Sequence, residues 1–323
     1  EVLATDWGED RGWEANTEYA FALDYAPDRV RIRIDGETIF DVAGDFPEGS
    51  FGFYNYSQKQ VRYSGFRAGP TEPEERLSGE DRFDTSVAIS QDAWADGAAD
   101  AVVLTRSDVF ADALAGTPLA VSVGGPLLIT DRDQLVPAVR DEIRRALGSD
   151  MSKTVHLLGG PVALSAEVES AVRALGYRTQ RLAGEDRIET AITIARELPT
   201  IDAFLVTTGY NFPDALAAGP AAVQVDGAVL LSVDGEPAPA TVAFMDGRPD
   251  VPRYAIGGPA ANAHPEATPV FGPDRIRSTV AVAEEFFDAP GVAGLARADD
   301  FPDSLAGGAH VAMGLPELGR AGG

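Results

Sequence analysis

The sequence predicts a multi-domain chain: an N-terminal antiparallel β-sandwich fragment followed by tandem α/β modules with parallel sheets flanked by helices. Two observations predict this fold. Alternating apolar and polar residues fill the first part of the chain, and two linked sequence blocks then recur three times in the same order. Internal repeats decide the fold, because each copy is expected to form the same structural unit.

The N-terminal part of the chain carries strand patterns. Apolar and polar residues alternate over 19–25, 30–34 and 37–42, as in half-buried strands. Asp35-Gly36 between the last two runs is a strong hairpin signal.

Residues 51–56 and 60–66 predict two more strands. Five strands with one apolar face are too few to stand alone. We therefore expect residues 1–69 to be the C-terminal part of a larger β-sandwich, with residues 70–75 as a linker stiffened by two prolines.

The repeated blocks begin after this linker. The first block reads Gly-x-Asp-Arg followed by Phe or Ile, and it occurs at 79–83, 184–188 and 272–276. The second block reads Phe-x-Asp, then Ala or Ser, then Leu, and it occurs at 110–114, 212–216 and 301–305. We assign copy one to 76–180, copy two to 181–266 and copy three to 267–323, and expect copy three to be incomplete because little sequence follows its second block.

Strand and helix patterns alternate within a copy. In copy one we expect strands at 76–78, 101–105, 126–130 and 154–158, and helices at 81–90, 110–121, 134–147 and 165–175. Ser165 is the expected N-cap of the last helix, because a serine hydroxyl accepts a free backbone N–H. Copy two repeats the buried strands at 203–207, 228–232 and 253–256. Alternating βα units predict a parallel sheet between helices.

Four charged or hydroxyl positions recur in the copies. They are Asp81, Asp186 and Asp274; Arg82, Arg187 and Arg275; Thr85, Thr190 and Ser278; and Asp112, Asp214 and Asp303. The aspartate of the second block (Asp112, Asp214 and Asp303) is expected in the first turn of a helix, where a carboxylate gains from the helix dipole. These groups either hold the modules together by Arg–carboxylate pairing or bind a ligand at the carboxyl ends of the strands.

Gly159-Gly160-Pro161 and Gly257-Gly258-Pro259 each follow a predicted strand. Backbone amides in such loops can hold phosphate, but no complete phosphate-binding motif is present. A tight turn is the better interpretation of both loops.

Composition excludes several classes of function. The net charge of −25 disfavours nucleic acid and anionic membranes as partners, and no apolar run is long enough for membrane insertion. The absence of cysteine excludes disulfides, thiolate metal sites and a cysteine nucleophile. The only histidines are His156, His264 and His310. They occupy non-equivalent places in the three copies, so no module repeats a general base and we predict no catalytic residues.

The repeated blocks resemble the cell wall-binding repeat type 2 family from about Arg76 to the end of the chain. The resemblance rests on Arg-Leu-x-Gly-Glu-Asp-Arg, on Phe-x-Asp-Ala-Leu and on Gly-Gly-Pro, in that order. It implies non-catalytic modules, commonly three in a pseudo-threefold arrangement, on secreted or surface-layer proteins of bacteria. Copy three departs from the pattern by its length and by Pro273 and Gly294.

The N-terminal strands resemble the end of a thrombospondin C-terminal-type, lectin-like jelly roll. The match rests on 31–36 and 51–58 and implies a β-sandwich used in extracellular adhesion, sometimes with calcium. Asp35, Asp41 and Asp45 are candidate calcium ligands, although turn and edge roles are alternatives.

Together these patterns predict an extracellular, non-catalytic protein held on cell wall polysaccharide or a secondary wall polymer by its repeats, with an adhesive β-sandwich. No cofactor is expected to be required, and calcium binding is expected to strengthen attachment. Two alternatives are a structural subunit of a surface layer or filament, which would contact other surface proteins, and the anchoring part of an exported wall hydrolase.

Overall fold

The computed structural model describes residues 17, 19–26, 29–44, 76–288, 290 and 292–313. The chain divides into two compact units, Glu1–Arg76 and Leu77–Gly323.

The described part of the first unit is a three-stranded antiparallel sheet in the order β1-β2-β3. Its strands are β1 (Phe21–Ala26), β2 (Arg29–Ile34) and β3 (Glu37–Ala43). Asp35 and Gly36 have φ of +50° and +84°, as a type I′ turn requires, so the predicted hairpin is confirmed. The strands predicted at 51–56 and 60–66 lie outside the described residues.

Two parallel four-stranded sheets organise the second unit. The first has the order β5-β4-β6-β7 and is built from β4 (Ala101–Arg106), β5 (Leu127–Thr130), β6 (Thr154–Leu158) and β7 (Arg178–Leu182). The second has the order β11-β10-β8-β9 and is built from β8 (Phe204–Thr208), β9 (Ala228–Ser232), β10 (Arg253–Ile256) and β11 (Thr268–Val270). The predicted α/β modules with parallel sheets are confirmed.

Helices flank these sheets. In copy one they are α1 (Arg82–Ala93), α2 (Gly116–Ser122), α3 (Pro137–Leu147) and α4 (Ala166–Arg173). In copy two they are α5 (Arg187–Glu197), α6 (Pro213–Gln224), α7 (Pro239–Asp246) and α8 (Gly258–Ala263). Copy three contributes α9 (Arg275–Phe286) and α10 (Pro302–Met313). Ser165 caps α4 by accepting from the backbone N–H of Val168, as expected.

The last strand of each sheet comes from residues that open the next sequence copy. Arg181 and Leu182 belong to β7, which pairs with β6 of copy one, and β11 pairs with β10 of copy two. The strand expected at 76–78 is absent, since within the second unit no sheet precedes copy one for those residues to join.

The helix expected over 110–121 begins only at Gly116, after a run of turns. Asp112 therefore lies in a turn, whereas its equivalents lie in the first turns of α6 and α10. Copies two and three carry proline at the first helical position, where its fixed φ starts a helix; copy one has Ala111 there. Gly116, where copy two has Ala218, further disfavours an earlier start because glycine has low helix propensity.

The three copies pack around one another. We call α1, α5 and α9 the A helices, and α2, α6 and α10 the B helices. Each B helix contacts the A helix of the following copy, and α10 of copy three returns to α1 of copy one. The B helices also contact one another in all three pairings. One hydrophobic core runs through all three copies, with members such as Leu119, Leu230 and Leu305.

Candidate functional site

The first repeated aspartate caps an A helix in every copy. The Asp81 carboxylate accepts from the backbone N–H groups of Phe83 and Asp84 at 2.8 and 3.0 Å. Asp186 makes the equivalent pair of bonds, and Asp274 accepts from the N–H of Arg277 at 2.8 Å. These carboxylates satisfy N–H groups that a helix start leaves free.

The repeated hydroxyl fixes the loop in front of each A helix. Thr85 Oγ1 accepts from the Gly79 N–H at 3.1 Å and donates to the Asp81 carbonyl at 2.9 Å. Thr190 and Ser278 accept from the equivalent glycine N–H groups at 3.1 and 3.2 Å. All three hydroxyl residues are buried, so each is positioned to hold the glycine loop.

The repeated arginine lies at the start of an A helix and reaches the segment just before the second repeated block. Its Nη1 donates to one backbone carbonyl, at 2.6 to 2.7 Å: Arg82 to Ser107, Arg187 to Gly209 and Arg275 to Ala298. The Arg187 guanidinium also lies 4.9 Å from the centre of the Tyr210 ring. The arginine thus ties the two repeated blocks of each copy together.

The second repeated aspartate meets the Gly-Gly-Pro loop. A Cβ on Gly159 would lie 2.5 Å from Asp112 Oδ2, and one on Gly257 would lie 2.2 Å from Asp214 Oδ2. Both glycines have φ near +90°, and their N–H groups donate to carbonyls of Leu182 and Val270. Because these two N–H groups already donate to backbone carbonyls, they are not free to bind a phosphate, and the tight-turn interpretation is favoured.

Asp214 of copy two lies next to Ser278 and Arg275 of copy three. Burial raises the pKa of its carboxyl, while a hydrogen bond with Ser278 and the charge of Arg275 act in the opposite direction. Three signature residues, from copies two and three, therefore meet at one interface. A half-buried carboxylate with a perturbed pKa is a feature of functional sites, although structural networks share it.

The phenylalanine of the second block brings the three copies together. Phe110, Phe212 and Phe301 have ring-centre separations of 5.6, 5.6 and 5.8 Å, within the range of favourable aromatic pairs. The sequence repeats this phenylalanine in every copy, but the repeat alone did not show that the three rings touch. One aromatic residue kept at the same position of all three copies is the signal that could have suggested it.

The candidate calcium ligands lie in the first unit. The Asp41 carboxylate pairs with Arg29 and Arg31, and the Arg29 hydrogen bond lowers the pKa of that carboxyl to about 2. Asp35 accepts from the Ala20 N–H at 2.8 Å, and Asp45 lies outside the described residues. Among the residues that the structure describes, no group of three or more histidine or carboxylate side chains is arranged to hold a metal ion. The calcium assignment stays a prediction.

The three histidines lie apart. His156 is buried in β6, and burial lowers the pKa of its imidazole. His264 Nδ1 lies 3.2 Å from Glu266, and His310 Nε2 lies 2.6 Å from Asp92, so that His310 joins α10 to α1.

Within the described parts of the chain, none of the helices has the length and apolar character needed to cross a membrane.

Comparison with known protein families finds a match over more than half of the chain. The model of Cell wall binding domain 2 (CWB2) matches residues 76–169 and 181–263. These two matches fall on copies one and two.

Two curated proteins of Bacillus subtilis (strain 168) are similar to this chain. N-acetylmuramoyl-L-alanine amidase LytC is 25% identical over 238 residues, which are 72% of this chain and 47% of LytC. The amidase enhancer is 29% identical over 158 residues, 49% of this chain and 21% of the enhancer. The chain therefore spans less than half the length of either relative.

Solved structures share the fold. Cwp8 from Clostridium difficile has a TM-score of 0.66 and 26% identity, covering 74% of this chain and 43% of Cwp8. Cwp6 from the same organism also has a TM-score of 0.66, with 21% identity, covering 89% of this chain and 49% of Cwp6.

Proposed function

The chain belongs to the Cell wall binding domain 2 (CWB2) family, and from this premise we propose that it holds a bacterial surface protein on cell wall polymer without catalysing a reaction. The observation that carries the proposal is the joining of all three copies at Phe110, Phe212 and Phe301. Related modules packed around one shared core offer several related surfaces to a repeating polymer, and such multivalent contact raises avidity without any new chemistry.

Charge sets a condition on this binding. A chain of net charge −25 repels an anionic polymer at long range. Attachment then needs a local basic surface, a polymer of low charge, or divalent cations that bridge the carboxylates of both partners. We propose that calcium strengthens attachment by such bridging.

A pull-down on purified cell walls tests the proposal. The full chain is mixed with walls in calcium, in magnesium and in chelator, and the bound fraction is measured after sedimentation. We expect retention in calcium and weaker retention in chelator. Walls stripped of their secondary polymer serve as the matched control and are expected to retain less protein. Failure to bind untreated walls in every condition would contradict anchoring.

A second candidate function is assembly into a surface layer or filament. Sedimentation velocity over a concentration series distinguishes the two functions, since assembly predicts a sedimentation coefficient that grows with concentration. Anchoring alone predicts a monomer throughout.

Similarity to LytC and the amidase enhancer raises the third alternative, the anchoring part of a wall hydrolase. The aligned part is less than half of either relative, so their activities are not transferred to this chain. Release of soluble products from walls incubated with this chain would contradict our non-catalytic proposal.

For the first unit, we propose that β1–β3 form part of an adhesive, lectin-like β-sandwich. The antiparallel order and the I′ hairpin support this proposal. Glycan-array binding by the full chain tests it, and wall polymers should be included so that binding by the CWB2 copies is recognised.

A further inference from the structure

Copy two carries a groove between α5 and α7, lined in part by Gly184 and Glu185 of the first repeated block. Its volume is about 810 Å³, within the range of small-ligand sites. The groove has both polar and apolar walls, and Ile192, Ala240 and Phe244 form an apolar floor within it. Phe244 is buried and its ring packs edge-on against Phe204, with 5.9 Å between the ring centres. The floor is therefore held in place by the core beneath it.

Two arginines stand over this floor. The guanidinium carbons of Arg196 and Arg248 lie 5.7 and 4.4 Å from the centre of the Phe244 ring, and both residues are exposed. Within the part of the chain that the structure describes, neither side chain forms a hydrogen bond or an ion pair. Because stacking on a ring uses the face of a guanidinium, the N–H groups along its edge stay available for a ligand.

Copy one shows that this arrangement is not a general property of the repeat. Gln91 and Glu142 occupy the positions of Arg196 and Phe244, and they bond to each other through Nε2 and Oε2 at 3.2 Å. Glu142 also accepts two hydrogen bonds from Arg145. The polar groups of copy one are thus satisfied internally, whereas copy two presents an aromatic floor and two cationic side chains.

The opposite end of the groove is acidic. Glu185 and Glu189 line it near the start of α5, and the Glu189 carboxylate accepts from the Glu185 N–H at 3.0 Å. Along a helix, Glu189 and Arg196 are separated by about 10 Å. A simple anion would use only the arginine end, whereas a sugar with an anionic substituent could place hydroxyl donors near Glu189 and its anionic group near the arginines.

We propose that the α5–α7 groove binds one acidic saccharide unit, with a phosphate or carboxylate held by Arg196 and Arg248 and its hydroxyl groups near Glu189. The inference rests on the proposed function and deepens it by naming a subsite and the chemistry of its ligand. The two guanidiniums supply the local positive surface that a chain of net charge −25 needs to hold an anionic polymer.

Titration followed by NMR tests the groove directly. The probes are N-acetylglucosamine 6-phosphate, glucuronic acid, uncharged N-acetylglucosamine and inorganic phosphate, each added to the full chain. We expect one or both acidic sugars to shift the amide signals of Gly184, Thr193 and Gly247, and the responding probe identifies the anionic group. No shift at these amides, or an equal affinity for inorganic phosphate, would overturn the proposal.

Substitutions distinguish direct contacts of Arg196 and Arg248 with the ligand from a general effect of the charge of the protein. Arg196→Gln and Arg248→Gln are each expected to weaken acidic-sugar binding about tenfold, the effect of losing one charge-assisted hydrogen bond. Arg277→Gln removes the same charge from an exposed position on α9 and should leave the affinity unchanged. Equal weakening by all three substitutions would show a long-range charge effect and overturn the subsite.

The wall pull-down distinguishes failure of this inference from failure of the proposed function. If walls retain the chain but acidic sugars leave the groove signals unshifted, anchoring stands and the subsite is wrong. If the groove responds but walls do not retain the chain, the subsite stands and anchoring is wrong.

Discussion

Thr117 of copy one lies directly against Gly219 of copy two, so closely that a Cβ on Gly219 would come within 2.9 Å of the Thr117 Cβ. Gly308 occupies the same position in copy three, and a Cβ there would lie 3.0 Å from Thr117 Oγ1. Both glycines are buried within B helices. Small residues at one repeat position therefore allow the three B helices to meet.

Gly219→Ala is expected to destabilise the second unit although alanine favours helices. The added methyl overlaps the Thr117 side chain, and overpacking a close contact costs about 1–3 kcal/mol. Gly307→Ala is the matched control, because a Cβ on Gly307 meets no atom within 4 Å. It should be neutral or stabilise the fold by up to about 1 kcal/mol. Chemical denaturation measures both, and equal effects would contradict close packing at Thr117.

Phe301→Ala is expected to loosen copy three selectively. Phe301 is 8% exposed, and truncating a buried phenylalanine costs about 3–5 kcal/mol. Amide exchange should accelerate in α10 more than in β4 or β8, because α10 loses its contacts with Phe110 and Phe212. Phe271→Ala removes an exposed ring and should change exchange little. Uniform acceleration throughout the second unit would show that the phenylalanine cluster does not hold α10.

Arg187→Glu tests whether the repeated arginine is structural. The substitution leaves the Gly209 carbonyl without its donor and removes the stacking on Tyr210. We expect a loss of about 1–3 kcal/mol in the free energy of unfolding and a lower Tm. Arg178→Glu, an equal charge change at an exposed position of β7, should have a smaller effect. Unchanged melting with loss of wall binding would assign Arg187 to the ligand instead.

Asp214→Asn is expected to raise Tm at pH 7. Burial raises the pKa of the Asp214 carboxyl above its usual value, so the folded state holds the proton more tightly than the unfolded state. Its contribution to stability is present at low pH and is lost as the pH rises through the folded pKa. Asparagine removes the ionisation, and the advantage of the variant should therefore shrink as the pH falls. Melting curves at several pH values measure this, and a constant difference would contradict a raised pKa.

The sequence predicted the modules well because their signals are local. Periodicity identified the buried strands, and Ser165 caps α4 as predicted. The start of α2 was predicted too early, because the pattern of copy one was taken as helical from Phe110 although Ala111 replaces the proline that starts α6 and α10.

Contacts between copies could not be predicted from local sequence patterns. Phe110, Phe212 and Phe301 were recognised as repeated, but their meeting depends on how separate helices pack. The groove at Arg196 and Phe244 was missed for a second reason. Arg196 and Phe244 differ from Gln91 and Glu142 at the same positions of copy one, whereas the predictions from sequence rested on positions that all copies share.

Competition by soluble wall-polymer fragments of graded length tests most directly whether the copies act together on one polymer. The full chain is first bound to walls, and release is measured against fragments matched in total concentration of repeat units. Joint binding predicts that fragments long enough to contact several copies release the chain at least about tenfold more effectively per repeat unit than single units. Equal effectiveness at every length would contradict it.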